Sequence, residues 1–101
     1  MGAVFALPWT RLPDWYAALP DLSARGFTTV ALTLADDAVP VEEAVAGVDR
    51  LALVLGSEGH GLSERWQESA DRRAVIPMTA GIDSLNVAAA TAVACYVAAR
   101  R

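Results

Sequence analysis

Apolar residues in this chain fall in short blocks, some dense enough for strands and others at helical spacing, divided by glycine, proline and acidic turn formers. Val4-Phe5-Ala6-Leu7, closed by Pro8, predicts a strand almost at the first residue. Asp14 then caps a helical stretch carrying Trp15, Ala18, Leu19 and Leu22 and ending near Gly26. Pro20 inside it leaves open two short pieces or one helix. Thr28-Thr29-Val30-Ala31-Leu32 predicts a second strand, followed by a turn over 36–40 and a short helix over 41–46 with acidic residues in its first turn. The unbroken run Leu51-Ala52-Leu53-Val54-Leu55 predicts a strand covered on both faces, as in a parallel sheet. A glycine-rich loop over 56–61 leads to a helix capped by Ser63 and ending near residue 70. Arg73-Ala74-Val75-Ile76 predicts a fourth strand, stopped by Pro77, and Asp83 or Ser84 caps a last helix running to about residue 100.

Strands alternating with helices predict an α/β fold, a parallel sheet flanked by helices with ligand sites at the carboxyl ends of the strands. The last helix, with Ala88, Ala89, Ala90, Ala92, Ala94, Ala98 and Ala99, is apolar nearly all round, which predicts cover on several sides or a subunit interface. At 101 residues the chain is one domain, 1–101, and 54% hydrophobic against 20% charged residues is a globular composition. The apolar stretch over 87–99 is too short to span a bilayer, and the N-terminus lacks a signal-peptide pattern, so a soluble cytoplasmic protein without membrane contact is expected. One cysteine and one histidine exclude a disulfide framework and argue against any metal centre. A net charge of −4 with no lysine argues against a generic nucleic-acid coating protein, although a few local arginines still suffice for RNA.

Two segments carry chemistry. Gly56-Ser57-Glu58-Gly59-His60-Gly61-Leu62 joins a buried strand to a helix, a general arrangement for binding nucleotides on backbone amides. It is neither a P-loop nor a G-x-G-x-x-G fingerprint, and a tight βα turn without a ligand accounts for it equally well in isolation. Ile76-Pro77-Met78 followed by Ser84-Leu85-Asn86-Val87 places polar residues at a helix start. Capping is the simpler account of Asp83 and Ser84, whereas Asn86 is a poor helix former with no obvious local task.

Together the two segments resemble motifs 2 and 3 of the SpoU/TrmH RNA 2′-O-methyltransferases of the SPOUT superfamily. The family pattern is an apolar strand, G-x-E-x-x-G-(L/M), then I-P-M and S-L-N-V ahead of an alanine-rich helix. The intervals agree too: twenty residues from Gly56 to Ile76 and nine from Ile76 to Leu85. The start, Met1-Gly2-Ala3-Val4-Phe5-Ala6-Leu7-Pro8, is similar to a mid-domain stretch of the family, so the resemblance extends over essentially the whole chain.

The resemblance implies a C-terminal trefoil knot whose loops hold S-adenosylmethionine in a bent form, and methyl transfer to a ribose 2′-hydroxyl of tRNA or rRNA by a homodimer. By the same resemblance Leu55, Gly56, Gly61, Ile76, Met78 and Leu85 form the cofactor pocket, Ile76 and Leu85 packing on the adenine. Glu58 organises the loop or the active site, and Ser84 and Asn86 lie near the reacting centre. Motif 1 of the family, N-x-G-x-x-x-R, has no counterpart here, which implies the C-terminal part of such a domain, truncated at its N-terminus. The alternative is a non-catalytic S-adenosylmethionine-binding or dimerisation module. Plainer roles are expected elsewhere: His60 as a loop residue facing solvent or RNA, Cys95 as core filling, Arg72 and Arg73 as an exposed charged loop ahead of the alternative of phosphate contacts, and Trp9, Trp15 and Trp66 as packing or dimer contacts.

Overall fold

The computed structural model describes residues 8–33, 37–56, 64–76 and 87–101, with the backbone alone at Trp15, Val87 and Ala88. In chain order its elements are α1 (Trp15–Ala24), β1 (Thr28–Leu32), β2 (Val39–Pro40), α2 (Val41–Val45), β3 (Leu51–Val54), α3 (Glu64–Ser69), β4 (Arg72–Val75) and α4 (Val87–Ala99). Among the described residues the strands form one sheet in the order β2-β4-β1-β3, every neighbouring pair parallel. The expected strand at the first residues, the cap of the last helix and the loops of the expected knot lie outside the described residues.

Strand pleat sorts the side chains of β1 onto two faces. Val30 and Leu32 join Leu51, Leu53, Ala74 and Ile76 against Val41, Ala44 and Val45 of α2 and Val97 of α4, which is the hydrophobic core. Thr29 and Thr33 point to the other face, where the hydroxyls of Ser23 on α1 and Thr33 reach Asp71 and Gln67 respectively. Helices therefore cover both faces, α2 and α4 on one and α1 and α3 on the other.

α1 is a single helix despite Pro20, because both of its ends are fixed. The Asp14 carboxylate accepts from the amides of Tyr16 and Ala17 at 3.1 and 3.3 Å. At the far end Gly26 takes φ 90°. The Phe27 amide there donates to Leu22 O at 3.0 Å and the Gly26 amide to Ser23 O at 3.1 Å, a Schellman ending. Leu19, 3% exposed, anchors the helix to the sheet.

Three expectations change. Val39–Pro40 is not a turn but a short strand pairing with Ala74 and Val75; Pro40, lacking an N–H, is tolerated there because β2 lies at the sheet edge. The apolar run over 51–55 is half-buried throughout its strand, since β3 pairs only with β1 among the described residues. The covered strand is β1, where Thr29, Val30 and Ala31 are fully buried. Finally, α4 is covered on one side among the described residues: Ala94 and Ala98 are buried, whereas Val93, Cys95 and Tyr96 are exposed. This departs from cover on several sides, though not from a subunit interface, and Cys95 does not fill the core.

Candidate functional site

In a parallel sheet every strand delivers its carboxyl end to the same edge, and the loops that follow meet there. Register places Ala31 of β1 beside Val54 of β3, and Leu32 beside Ala74 of β4. Leu55 and Gly56 thus leave β3 on one side of the β1 end, and Ile76 leaves β4 on the other. One strand intervenes, which separates the two exits by roughly 10 Å. Thr33 continues β1 between them, its amide donating to Ala74 O at 2.9 Å.

Leu55, Gly56 and Ile76 are all half-buried, and Ile76 is seated on the core cluster. Each apolar side chain therefore has one face held by protein and another open. Such a ledge, with no side chain at Gly56, suits a flat heterocycle laid across the end of β1. The sequence-predicted Leu55, Gly56 and Ile76 are brought to this one edge. Glu58, His60, Gly61, Met78, Ser84, Leu85 and Asn86 lie outside the described residues.

A polar chain that the motifs do not contain runs beside the ledge. The Thr33 hydroxyl donates to Gln67 Oε1 at 2.7 Å, and Arg73 Nη1 donates to the Gln67 carbonyl at 3.2 Å. Arg73 also grips Asp37, with Nε donating to Oδ2 at 3.0 Å and Nη2 to Oδ2 at 2.5 Å. Hydrogen bonding from the guanidinium, reinforced by its charge, holds the Asp37 carboxyl below the ordinary carboxylate range, and the same partner raises Arg73 further. Arg72 and Arg73 are consequently not a charged loop: both belong to β4, and Arg72 Nη1 donates to Ala44 O at 2.7 Å. Nothing local marks Thr33, Asp37 or Gln67 in the sequence. Only the strand register brings them together.

The expected packing role of Trp66 is observed, its ring 5.3 Å from that of Tyr16, over which Arg65 also lies at 3.6 Å. Trp9 is 66% exposed. Among the described residues no cluster of three His, Cys, Asp or Glu side chains could hold a metal ion, and no helix is long and apolar enough to cross a membrane.

A parallel α/β sheet whose strands end at one edge is an architecture in which ligands bind beyond the carboxyl ends of the strands. Residues 1–96 match the SpoU rRNA Methylase family, and the chain belongs to that family. It is 42% identical to an uncharacterised tRNA/rRNA methyltransferase of Mycobacterium bovis, over 95% of this chain and 34% of that protein. The crystal structure of an AdoMet-bound rRNA methyltransferase from Sinorhizobium meliloti superposes with a TM-score of 0.81 at 30% identity, covering 98% of this chain and 37% of that one. The crystal structure of an RNA 2′-O ribose methyltransferase gives a TM-score of 0.70 at 30% identity, over 86% and 33% of the two chains. The chain thus spans about a third of the length of these relatives.

Proposed function

We propose that this chain supplies the S-adenosylmethionine-binding part of an RNA methyltransferase acting on a ribose 2′-hydroxyl of tRNA or rRNA. One observation carries the proposal. Leu55-Gly56 and Ile76, each opening one of the two family motifs, emerge at the same sheet edge on either side of β1. The fit is chemical as well as topological, because an adenine ring needs apolar walls, and Leu55 and Ile76 offer apolar surface on this half-buried ledge. When bound, S-adenosylmethionine supplies a methyl group on a positively charged sulfur, which leaves as S-adenosylhomocysteine when the ribose oxygen takes the methyl.

Under this proposal Leu55 and Gly56 line the adenosyl side, Ile76 and Leu85 pack on the base, and Met78 and Gly61 shape the rest of the pocket. Glu58, Ser84 and Asn86 orient the ribose hydroxyl or the group that removes its proton. Arg72 and Arg73 are given no part in that task, since each guanidinium contacts its own domain. The proposal extends to a cytoplasmic homodimer built on the 1–101 domain, and to a trefoil knot formed by the loops around the cofactor. The exposed α4 face with Val93 and Tyr96 supports the dimer.

A second function, cofactor binding or dimerisation without catalysis, rests on the same fold and the same sheet edge. Titration calorimetry of the purified chain with S-adenosylmethionine and S-adenosylhomocysteine tests the common ground, with saturable one-to-one binding expected. A folded chain that binds neither compound sinks the proposal. Binding without methyl incorporation into tRNA or rRNA, even when an N-x-G-x-x-x-R segment is joined to the chain, favours the second function.

A further inference from the structure

α3 follows the glycine-rich loop, yet it is only six residues long and buries none of them. A helix that short has little stability of its own, and no fully buried side chain seats this one. Its position is set by contacts from neighbouring elements, among them the Tyr16–Trp66 ring pair, Arg65 over the Tyr16 ring at 3.6 Å, the Thr33 hydroxyl on Gln67 Oε1 at 2.7 Å, and Arg73 on the Gln67 backbone carbonyl at 3.2 Å. Two of these fall on one residue, Gln67. They come from Thr33, at the exit of β1, and from Arg73, in the strand that ends before Ile76. Arg73 is itself steadied by Asp37 at 2.5–3.2 Å.

The loop that opens at Gly56 therefore has one end fixed by β3 and the other by a helix whose seating depends on Gln67. We infer that Thr33 and Gln67 are positioning residues for the adenosyl pocket, setting the spacing between the β3 exit, the β1 exit and the helix downstream of the glycine-rich loop. This rests on the proposed cofactor function, and it adds residues that neither motif contains. An isolated hydroxyl–amide contact between exposed groups has little effect on stability. Here the contact is partly buried and lies where a sub-ångström displacement changes the pocket, so its effect appears in binding more than in melting.

The test uses the full chain and four variants. Thr33→Val and Gln67→Leu remove one partner at nearly constant volume, whereas Thr33→Ser and Gln67→Glu keep the donor and the acceptor. Calorimetry with S-adenosylmethionine is expected to show about fivefold weaker binding for the first two, near-native binding for the second two, and no further loss in the Thr33→Val/Gln67→Leu double variant. A second measurement needs no cofactor: hydrogen exchange at the Ala70 amide, which donates to Trp66 O at 3.2 Å and so reports on α3, is expected to quicken about fivefold while Val30 is unchanged. Native affinity in Thr33→Val and Gln67→Leu, or multiplying losses in the double variant, overturns the inference. Unchanged Ala70 exchange, or Val30 quickening in step with it, overturns it as well. Failure of the wild-type chain to bind cofactor overturns the proposed function, and with it the pocket role. The exchange measurement then still decides whether the two residues seat α3.

Discussion

Asp71 shows how much one side chain contributes when its partners are buried. Its Oδ2 accepts from the Thr29 amide at 2.9 Å, and its own amide donates to Thr29 Oγ1 at 2.8 Å, locking the start of β4 to β1. Thr29 is fully buried, so removing the carboxylate strands its amide away from water. Asp71→Ala is expected to cost about 1–3 kcal/mol in urea unfolding, and Asp71→Asn, which keeps an acceptor, clearly less. Asp37 presents the opposite case. Its carboxyl is held below the ordinary range by Arg73, so the pair stabilises the fold above the unfolded pKa and the contribution is lost as pH falls through the folded one. Asp37→Asn is therefore expected to melt slightly below wild type at neutral pH, with the gap closing below the ordinary carboxylate range and narrowing in high salt. A gap that persists in strong acid rules out the ion pair as its cause.

At the scale of elements, small residues decide how α4 is held. Ala94 and Ala98 are buried on the α2 side, and Arg101 beyond the helix donates to Val48 O at 2.7 Å and Asp49 O at 3.0 Å. Ala94→Leu is expected to overpack this contact and destabilise by about 1–3 kcal/mol, seen as a lower denaturant midpoint with unchanged m. Local signals make the elements legible: Asp14 and Gly26 bracket α1, and the β-rich run over 28–32 is β1 to the residue. Cover is not legible. A five-residue apolar run became a half-buried strand paired on one side only among the described residues, while a strand opening on two threonines became the buried one. The reason is that Thr29 is satisfied by Asp71, 42 residues away. Apolarity all round α4 likewise could not say which side is covered, and Cys95 fell on the open one. Leu55, Gly56 and Ile76 were legible through their motifs, whereas Thr33, Gln67, Arg73 and Asp37 are joined across 34 and 36 residues by register alone.

For the molecule as a whole, a core built largely from valines and alanines is a small one, and small domains respond strongly to ligands. A compound that binds only the folded state at a hundredfold excess over its Kd stabilises by about 2.7 kcal/mol. In a domain of about 100 residues each kcal/mol moves Tm by roughly 4–8 °C. Saturating S-adenosylmethionine is thus expected to raise the melting temperature by on the order of 10 °C, and S-adenosylhomocysteine, which shares the adenosyl group, by a comparable amount. Adenosine alone tests which part of the ligand carries the effect. If the ledge formed by Leu55, Gly56 and Ile76 holds the base, adenosine retains a measurable part of the shift, and Ile76→Ala reduces the shift for all three compounds beyond its own cost to the unliganded fold. A chain that melts cooperatively yet gains nothing from any of the three does not hold an adenosyl group at this edge.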